Sequence, residues 1–117
     1  MDLVEISYDD ARPIDGYGPG FFRVGGEVVD APVLVLANST RPWGGLEDAA
    51  TLEALAGQVD VILLGTGETM APVPATLREA LDEAGVGIEP MASPSACRSF
   101  NILLSEGRRV AAALLSV

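Results

Sequence analysis

The amino-acid sequence predicts an α/β fold in which an antiparallel β-hairpin is followed by alternating strands and helices. Two apolar segments flank Gly25-Gly26, a pair that accepts the positive φ angles of a tight hairpin turn. The segments 33–37 and 59–64 are apolar on both faces, as expected of strands buried inside a sheet. Segments with helical spacing separate the later strands, and this alternation predicts parallel strands with right-handed crossovers. We therefore expect a partly parallel sheet and about three helices.

The predicted front of the chain is β-rich. Apolar and polar residues alternate over 3–8, which predicts a half-buried strand. Glycine, proline and aspartate are frequent over 9–20, which predicts a loop. The hairpin then has its strands at 21–24 and 27–29.

The remaining elements follow from periodicity and from the residues that start and stop helices. Pro74 is expected as a first helical residue, and Ser93 is expected to cap the helix that carries Pro94 in its first turn. Gly85 and Gly107 are expected to end helices. We predict strands at 33–37, 59–64, 86–91 and 109–115, helices at 46–56, 74–84 and 93–106, and loops at 38–45 and 65–73.

Length and composition indicate one domain spanning residues 1–117. The chain is 49% hydrophobic, enough for a cooperative core, but no apolar block approaches the ~20 residues that a membrane span needs. The acidic start Met1-Asp2-Leu3-Val4-Glu5 does not match the basic region of a signal peptide. A single cysteine excludes an internal disulfide and fits a reducing compartment. We expect a cytoplasmic protein without a transmembrane segment.

The missing residue types exclude several kinds of catalysis. The chain has no histidine, and its seven basic residues are all arginine. Ser-His-Asp and Cys-His mechanisms lack their base, and Schiff-base chemistry and the Walker phosphate loop lack their lysine. One cysteine without histidine would make an abnormal zinc site, so no metal and no cofactor is predicted. With a net charge of −10 and no basic cluster beyond Arg108-Arg109, no nucleic-acid partner is expected.

Three loops are expected to converge at one edge of the sheet. If the strands at 33–37, 59–64 and 86–91 are parallel, the segments that follow them emerge together, and ligands bind at this carboxyl edge in open α/β sheets. These three segments are 38–45, 65–69 and 91–98.

Arg98 makes an anion pocket a candidate at this edge. A cation near a helix N-terminus is unfavourable by about 0.3–1 kcal/mol unless an anion or a carboxylate lies nearby. Alternatively, Arg98 pairs with an internal acid such as Glu68 or Glu106. The candidate ligand-binding residues are Trp43, Gly65, Thr66, Gly67, Ser95, Cys97, Arg98 and Asn101.

Three of these candidates have other interpretations. Gly65-Thr66-Gly67 partly matches a dinucleotide fingerprint, but Met70 stands where the third glycine would fall, which favours a tight turn. Cys97 lacks a histidine partner, which favours a buried structural thiol over a nucleophile. Trp43 either walls a pocket or covers an edge of the core.

Several segments together resemble the Mth938-like family, a group of small domains of unknown function. They are Gly16-Tyr17-Gly18 ahead of Phe21-Phe22, Gly65-Thr66-Gly67, the run Ala96-Cys97-Arg98-Ser99-Phe100-Asn101, and the closing Ser105-Glu106-Gly107-Arg108-Arg109-Val110-Ala111-Ala112. Ser99 departs from the threonine expected there, and Ser93-Pro94-Ser95 is stiffer than the expected glycine-containing turn.

The resemblance implies a three-layer α/β fold with a central mixed sheet. It also implies a largely unassigned function, because the relatives include a mitochondrial complex I assembly factor that acts through protein partners. The first hypothesis is therefore a binding or assembly module, in respiratory or other complexes, rather than an enzyme. The alternative is a small enzyme or sensor that binds an anionic small molecule near Arg98. A purely structural domain in a homo-oligomer is a third reading, and the sequence does not predict the oligomeric state.

Overall fold

The predicted hairpin belongs to a three-stranded antiparallel sheet in the computed structural model, which describes residues 11–117. Its strands are β1 (Ile14–Gly18), β2 (Phe21–Val24) and β3 (Glu27–Asp30). Gly25 and Gly26 have φ angles of 56° and 84°, which confirms the tight turn between β2 and β3. The strand predicted at 3–8 lies outside the described residues.

Strand β1 lies inside the segment predicted to be a loop. Its sequence, Ile-Asp-Gly-Tyr-Gly, has few residues that favour strands, so pairing with β2 rather than local propensity decides its conformation. The ring of Phe21 covers Gly18, where a Cβ atom would lie 2.5 Å from Phe21 Cε1. Glycine therefore occupies position 18 because the Phe21 ring packs against it, a tertiary contact that cannot be predicted from the local sequence.

The central sheet has five strands in the order β5-β4-β8-β6-β7. Their bounds are β4 (Val33–Val35), β5 (Thr40–Pro42), β6 (Val61–Gly65), β7 (Ile88–Met91) and β8 (Val110–Leu114). Strand β6 is parallel to β7 and β8, whereas β4 is antiparallel to both β5 and β8. The sheet is mixed and partly parallel, as predicted.

The expectation that 33–37 runs parallel to the next two strands is wrong. The chain reverses after β4 into β5, which was predicted to be loop, and β5 then leads through a helix to β6. The crossover therefore joins β5, not β4, to a parallel strand. Strand β8 inserts between β4 and β6 and pairs with each in a different orientation.

Three helices complete the fold: α1 (Ala49–Glu53), α2 (Ala75–Ala84) and α3 (Ser93–Ser105). Helix α1 is shorter than predicted because Asp48 caps it and Gly57, with φ of 78°, follows soon after. Pro74 is the N-cap of α2 rather than its first residue. Gly85 and Gly107, both with φ of 76°, follow α2 and α3 as predicted.

The elements form three layers, because strand residues alternate between the two faces of the central sheet. One face packs against α3 and the three-stranded sheet, through a cluster that includes Phe22, Val24, Val35, Leu63, Phe100 and Ala112. The other packs against α1 and α2, through a cluster that includes Leu34, Trp43, Leu52, Ile62, Leu64 and Leu81. Within residues 11–117, no helix has the length and apolar character needed to cross a membrane.

Candidate functional site

Ser93 joins three segments at the carboxyl edge of the parallel strands. Its side chain is 0% exposed. The Ser93 hydroxyl donates to the Leu115 carbonyl (2.7 Å) and accepts from the Gly67 N–H (3.0 Å), while Ser93 N–H donates to the Gly67 carbonyl (2.8 Å). The prediction that Ser93 caps its own helix is wrong: Ala92 is the N-cap of α3, and no side chain bonds there. Ser93 instead connects α3 by hydrogen bonds to the segments that directly follow β6 and β8.

Each glycine of Gly65-Thr66-Gly67 is required for its own reason, Gly65 by the close approach of Ser93 and Gly67 by its backbone angle. A Cβ atom on Gly65 would lie 2.6 Å from Ser93 Oγ and 2.9 Å from Ser93 Cα, which no side chain tolerates without movement. Gly67 has a φ of 110°, a conformation that other residues rarely adopt. The segment has the geometry of a tight turn at a strand end.

The hydroxyl of Thr66 holds its own loop together. It donates toward the carbonyls of Thr69 (2.9 Å) and Met91 (3.2 Å) and accepts from the Ala71 N–H (2.9 Å). The Thr66 N–H also donates to the Met91 carbonyl at 2.8 Å. The segments 65–69 and 91–98 therefore meet as predicted, through hydrogen bonds within the protein.

The third predicted segment, 38–45, reaches this edge only at its end. It begins at the opposite edge, because β4 is antiparallel to β8, and β5 brings the chain back. A Cβ on Gly45 would lie 3.8 Å from Leu115 Cδ2. Trp43 is 3% exposed, and its Nε1–H donates to the Asp48 carbonyl at 3.0 Å. Trp43 thus belongs to the core on the α1 and α2 side of the sheet, away from α3.

Asn101 pairs with the backbone of β1. Its Oδ1 accepts from the Ile14 N–H and its Nδ2 donates to the Ile14 carbonyl, both at 2.8 Å. Sequence reasoning placed Asn101 among ligand-binding residues, whereas the structure uses its amide to attach the small sheet to α3.

Cys97 is a buried thiol in the core cluster on the α3 side, 4% exposed. Burial raises its pKa to about 11, and the opposing effect of the nearby Arg98 charge is smaller. The thiol is therefore protonated at neutral pH, which agrees with the structural interpretation rather than with a nucleophile.

Ser95 and Arg98 lie together on α3, where Arg98 is exposed. A guanidinium N–H of Arg98 donates to Ser95 Oγ at 3.3 Å. Neither of the ion pairs predicted as an alternative, with Glu68 or Glu106, forms in the described part of the chain. Anion binding by this pair stays a prediction.

Two surface cavities lie elsewhere. One, of about 390 Å³, lies between β3 and β5 and includes Asp30 and Arg41. The other, of about 260 Å³, lies between β7 and α3 and includes Glu89 and Ile102. Neither is lined by a predicted site residue. Over residues 11–117, no three acidic, cysteine or histidine side chains are grouped to hold a metal ion.

The candidate residues that converge thus serve mainly to join strands and helices. The structure also presents features that the sequence analysis did not single out, namely large apolar side chains at the surface: Tyr17, Val28, Met70 and Ile102. The hairpin was predicted, but the exposure of Val28 depends on the order of strands in the sheet, which carries no local sequence signal.

Comparison with known proteins gives relatives over nearly the whole chain. An uncharacterised protein of Rhodobacter capsulatus is 52% identical over 95% of this chain and 90% of its own length. NADH dehydrogenase (ubiquinone) 1 alpha subcomplex assembly factor 3 of Danio rerio is 33% identical over 87% of this chain. This chain spans only 63% of the zebrafish protein.

Solved structures agree in fold. A Bartonella henselae protein described as an outer membrane protein has a TM-score of 0.80 and 31% identity, covering 92% of this chain and 97% of its own. A Bordetella pertussis protein described as a Mth938-like domain has a TM-score of 0.71 and 25% identity, covering 89% of this chain and 85% of its own. The family model described as a protein of unknown function (DUF498/DUF598) matches residues 14–115. This chain therefore belongs to the Mth938-like (DUF498/DUF598) family.

Proposed function

We propose that this chain is a protein-binding module that acts in the assembly of a protein complex. The observation that carries the proposal is the 33% identity to a protein named as an assembly factor, over 87% of this chain. Because the match covers only 63% of that relative's length, the partners of this chain are inferred from its own surface.

The geometry favours binding over catalysis. The buried hydroxyl of Ser93, the hydroxyl of Thr66 and the amide of Asn101 all bond to backbone groups, so they are not directed toward a substrate. Burial raises the pKa of the Cys97 thiol to about 11, which disfavours the thiolate that a nucleophile requires. By contrast, large apolar side chains lie at the surface, and among them are a tyrosine and a methionine, residue types that are enriched in protein interfaces.

The finer proposal is that the complex is a respiratory one of the complex I type. The name of the zebrafish relative refers to NADH dehydrogenase (ubiquinone), and this role is extended to the present chain as a proposal only. A cytoplasmic location also stays a proposal, since the Bartonella henselae relative is described as an outer membrane protein.

Deletion of the gene in the organism that encodes it tests this function. We expect less fully assembled complex I on native gels and slower NADH oxidation by membranes, with succinate oxidation as the unaffected control. Cross-linking followed by mass spectrometry of the tagged chain should identify complex I subunits. Normal complex I levels, together with no cross-linked subunit of any complex, would contradict the assembly role.

A second candidate function is binding of a small anion at Ser95 and Arg98. The observation that favours it is the exposed guanidinium beside a hydroxyl, without a carboxylate partner in the described part of the chain. Titration with sulfate, followed by amide NMR, should shift residues 95–98 in the native chain but not in Arg98→Gln. Equal shifts in both proteins would exclude this site.

A further inference from the structure

The edge strands of the two sheets differ in how their outward-facing backbone groups are occupied. The strand orders leave β1, β3, β5 and β7 at edges among the described residues. An edge strand exposes N–H and C=O groups that pair readily with another chain, and proteins protect such edges with proline, charge or a covering group.

Strands β5 and β7 each carry a proline on the outward side. The Ser39 carbonyl accepts a hydrogen bond from the N–H of Leu36, the residue after β4, so alternation turns Pro42 outward. The Met91 carbonyl likewise accepts from the segment following β6, so alternation turns Pro90 outward. Proline has no N–H to offer, so both edges are poor templates for an added strand.

Strand β1 is instead bonded at its first residue by a side chain. The amide of Asn101 bonds both the N–H and the carbonyl of Ile14, as a neighbouring strand would. Within residues 11–117, β1, β5 and β7 therefore each have one outward position that a proline blocks or a side chain occupies.

Strand β3 has no such protection within residues 11–117. Val24 and Glu27 flank a two-residue turn and so bond each other, which directs Glu27 and Val29 toward β2. The backbone groups of Val28 and Asp30 then face away from the sheet. The Val28 side chain is 58% exposed. Among residues 11–117, this edge offers two residues whose outward donors and acceptors have no partner, beside an apolar side chain.

The charges along β3 favour a partner strand that carries a basic residue over a second copy of this chain. Two copies of this chain could pair their β3 strands antiparallel through Val28 and Asp30. Each Asp30 would then lie opposite Val28 of the other copy, and neither carboxylate would lie opposite a basic residue. Each copy also carries a net charge of −10. Glu27 pairs with Arg12 at 2.9 Å, but its side chain is 70% exposed, so that ion pair holds the carboxylate only weakly. A strand with an arginine or lysine opposite Asp30 gains a favourable cross-strand pair that a second copy lacks.

We propose that β3 accepts, as an added strand, an extended segment of a partner protein that places an apolar residue opposite Val28 and a basic residue opposite Asp30. The inference rests on the proposed function and names the surface through which the chain would hold its partner. Main-chain hydrogen bonds supply affinity in this mode of recognition, and alternate side chains supply specificity.

Amide NMR of the full chain with a capped peptide, Thr-Thr-Arg-Thr-Val-Thr-Thr, tests the inference. We expect the largest shifts at Val28 and Asp30. A peptide with glutamate in place of arginine should bind about threefold or more weakly. A peptide that is N-methylated at its arginine and valine, whose N–H groups would face β3, keeps the positive charge but should not bind. This control distinguishes strand pairing from attraction to an acidic surface.

Two variants make the test decisive. Val28→Pro removes an N–H that faces outward, so we expect a folded protein that no longer binds the arginine peptide, whereas Val29→Pro should lose stability because its N–H bonds β2. If Val28→Pro does not fold, Asp30→Lys provides the test. This variant should bind the glutamate peptide more tightly than the arginine peptide, the reverse of the native preference. Unchanged binding in a folded Val28→Pro, unchanged preference in Asp30→Lys, or shifts away from β3 would overturn the inference.

The two proposals fail differently. If cross-linking captures complex I subunits equally well with Val28→Pro and Asp30→Lys, the β3 inference is wrong and the assembly function stands. If the peptide binds β3 while deletion leaves complex I intact and no subunit of any complex is captured, the assembly function is wrong. A shift in self-association with these variants would instead identify a second copy as the occupant.

Discussion

The side-chain amide of Asn101 and the backbone of Ile14 form two hydrogen bonds of 2.8 Å, so that helix α3 holds β1 as a neighbouring strand would. This pair connects the three-stranded sheet to the layer of α3. It also satisfies the outward backbone groups at the first residue of a strand whose sequence does not favour strand formation.

Replacing Asn101 by alanine should therefore destabilise the protein. Both backbone groups of Ile14 lose their partner in a partly buried location, which costs about 1–3 kcal/mol for each unsatisfied group. Urea unfolding measures the change in the free energy of unfolding. Ser105→Ala is a matched control on the same helix, since its exposed hydroxyl bonds only the Ile102 carbonyl within α3. Equal stability of Asn101→Ala and the control would contradict the connecting role.

Ser93 and Gly65 should behave as a coupled pair. Ser93→Ala leaves the Gly67 N–H and the Leu115 carbonyl without a side-chain partner, at about 1–3 kcal/mol for each group. Gly65→Ala alone forces a Cβ against Ser93 Oγ, and overpacking of this kind typically costs about 1–3 kcal/mol.

The double variant should lose less stability than the sum of the two single variants, because the clash with Oγ is already gone. Chemical unfolding of all four proteins gives the coupling free energy. Gly26→Ala serves as a glycine control, since nothing lies within 4 Å of its Cβ position, although its φ of 84° still adds strain. Simple additivity would show that the contact between Gly65 and Ser93 is unimportant.

The buried Cys97 thiol should make stability depend on pH in the alkaline range. Burial raises its pKa to about 11 from the ordinary thiol value of 9.0. Above pH 9 the unfolded chain loses this proton before the folded protein does, so the free energy of unfolding falls as pH rises through about 11. Cys97→Ala should lack this part of the slope. A thiol reagent at pH 8 should label Cys97 only after denaturation, and rapid labelling of the folded protein would contradict its burial.

Asp48 should stabilise the loop that carries Trp43. Its carboxylate accepts from Thr51 Oγ1 (2.6 Å), the Gly44 N–H (2.9 Å) and the Thr51 N–H (3.2 Å). These bonds, led by the Thr51 hydroxyl, lower the pKa of Asp48 below the ordinary carboxyl value of 3.8. The stability it contributes is therefore present above that value and is lost as the pH falls through the lowered pKa.

Asp48→Ala should cost about 0.5–2 kcal/mol, as for the loss of an N-cap. Trp43 is the single tryptophan of the chain, so its fluorescence reports unfolding directly. Glu53→Ala, on the same helix, provides a control that removes a carboxylate without removing the cap. An Asp48→Ala protein as stable as this control, at neutral pH, would show that the cap contributes nothing.

Local features of the sequence determined the elements that depend on local chemistry. The turn at Gly25-Gly26 and the helix ends at Gly85 and Gly107 were predictable because positive φ angles require glycine at those positions. The meeting of 65–69 with 91–98 was predictable because parallel strands end at a common edge. The family motifs also lie in the sequence itself.

Tertiary structure alone decided the rest. Strand β1 exists because β2 and Asn101 pair with it, and Asn101 is 87 residues away from Ile14 in sequence. The orientation of β4 depends on β8, the last strand, which inserts beside it. The spatial order of the strands decides which polar side chains bond internally and which strands lie at the edges of the described sheets. Long-range pairing sets that order, and it has no periodicity that a local reading of the chain reveals.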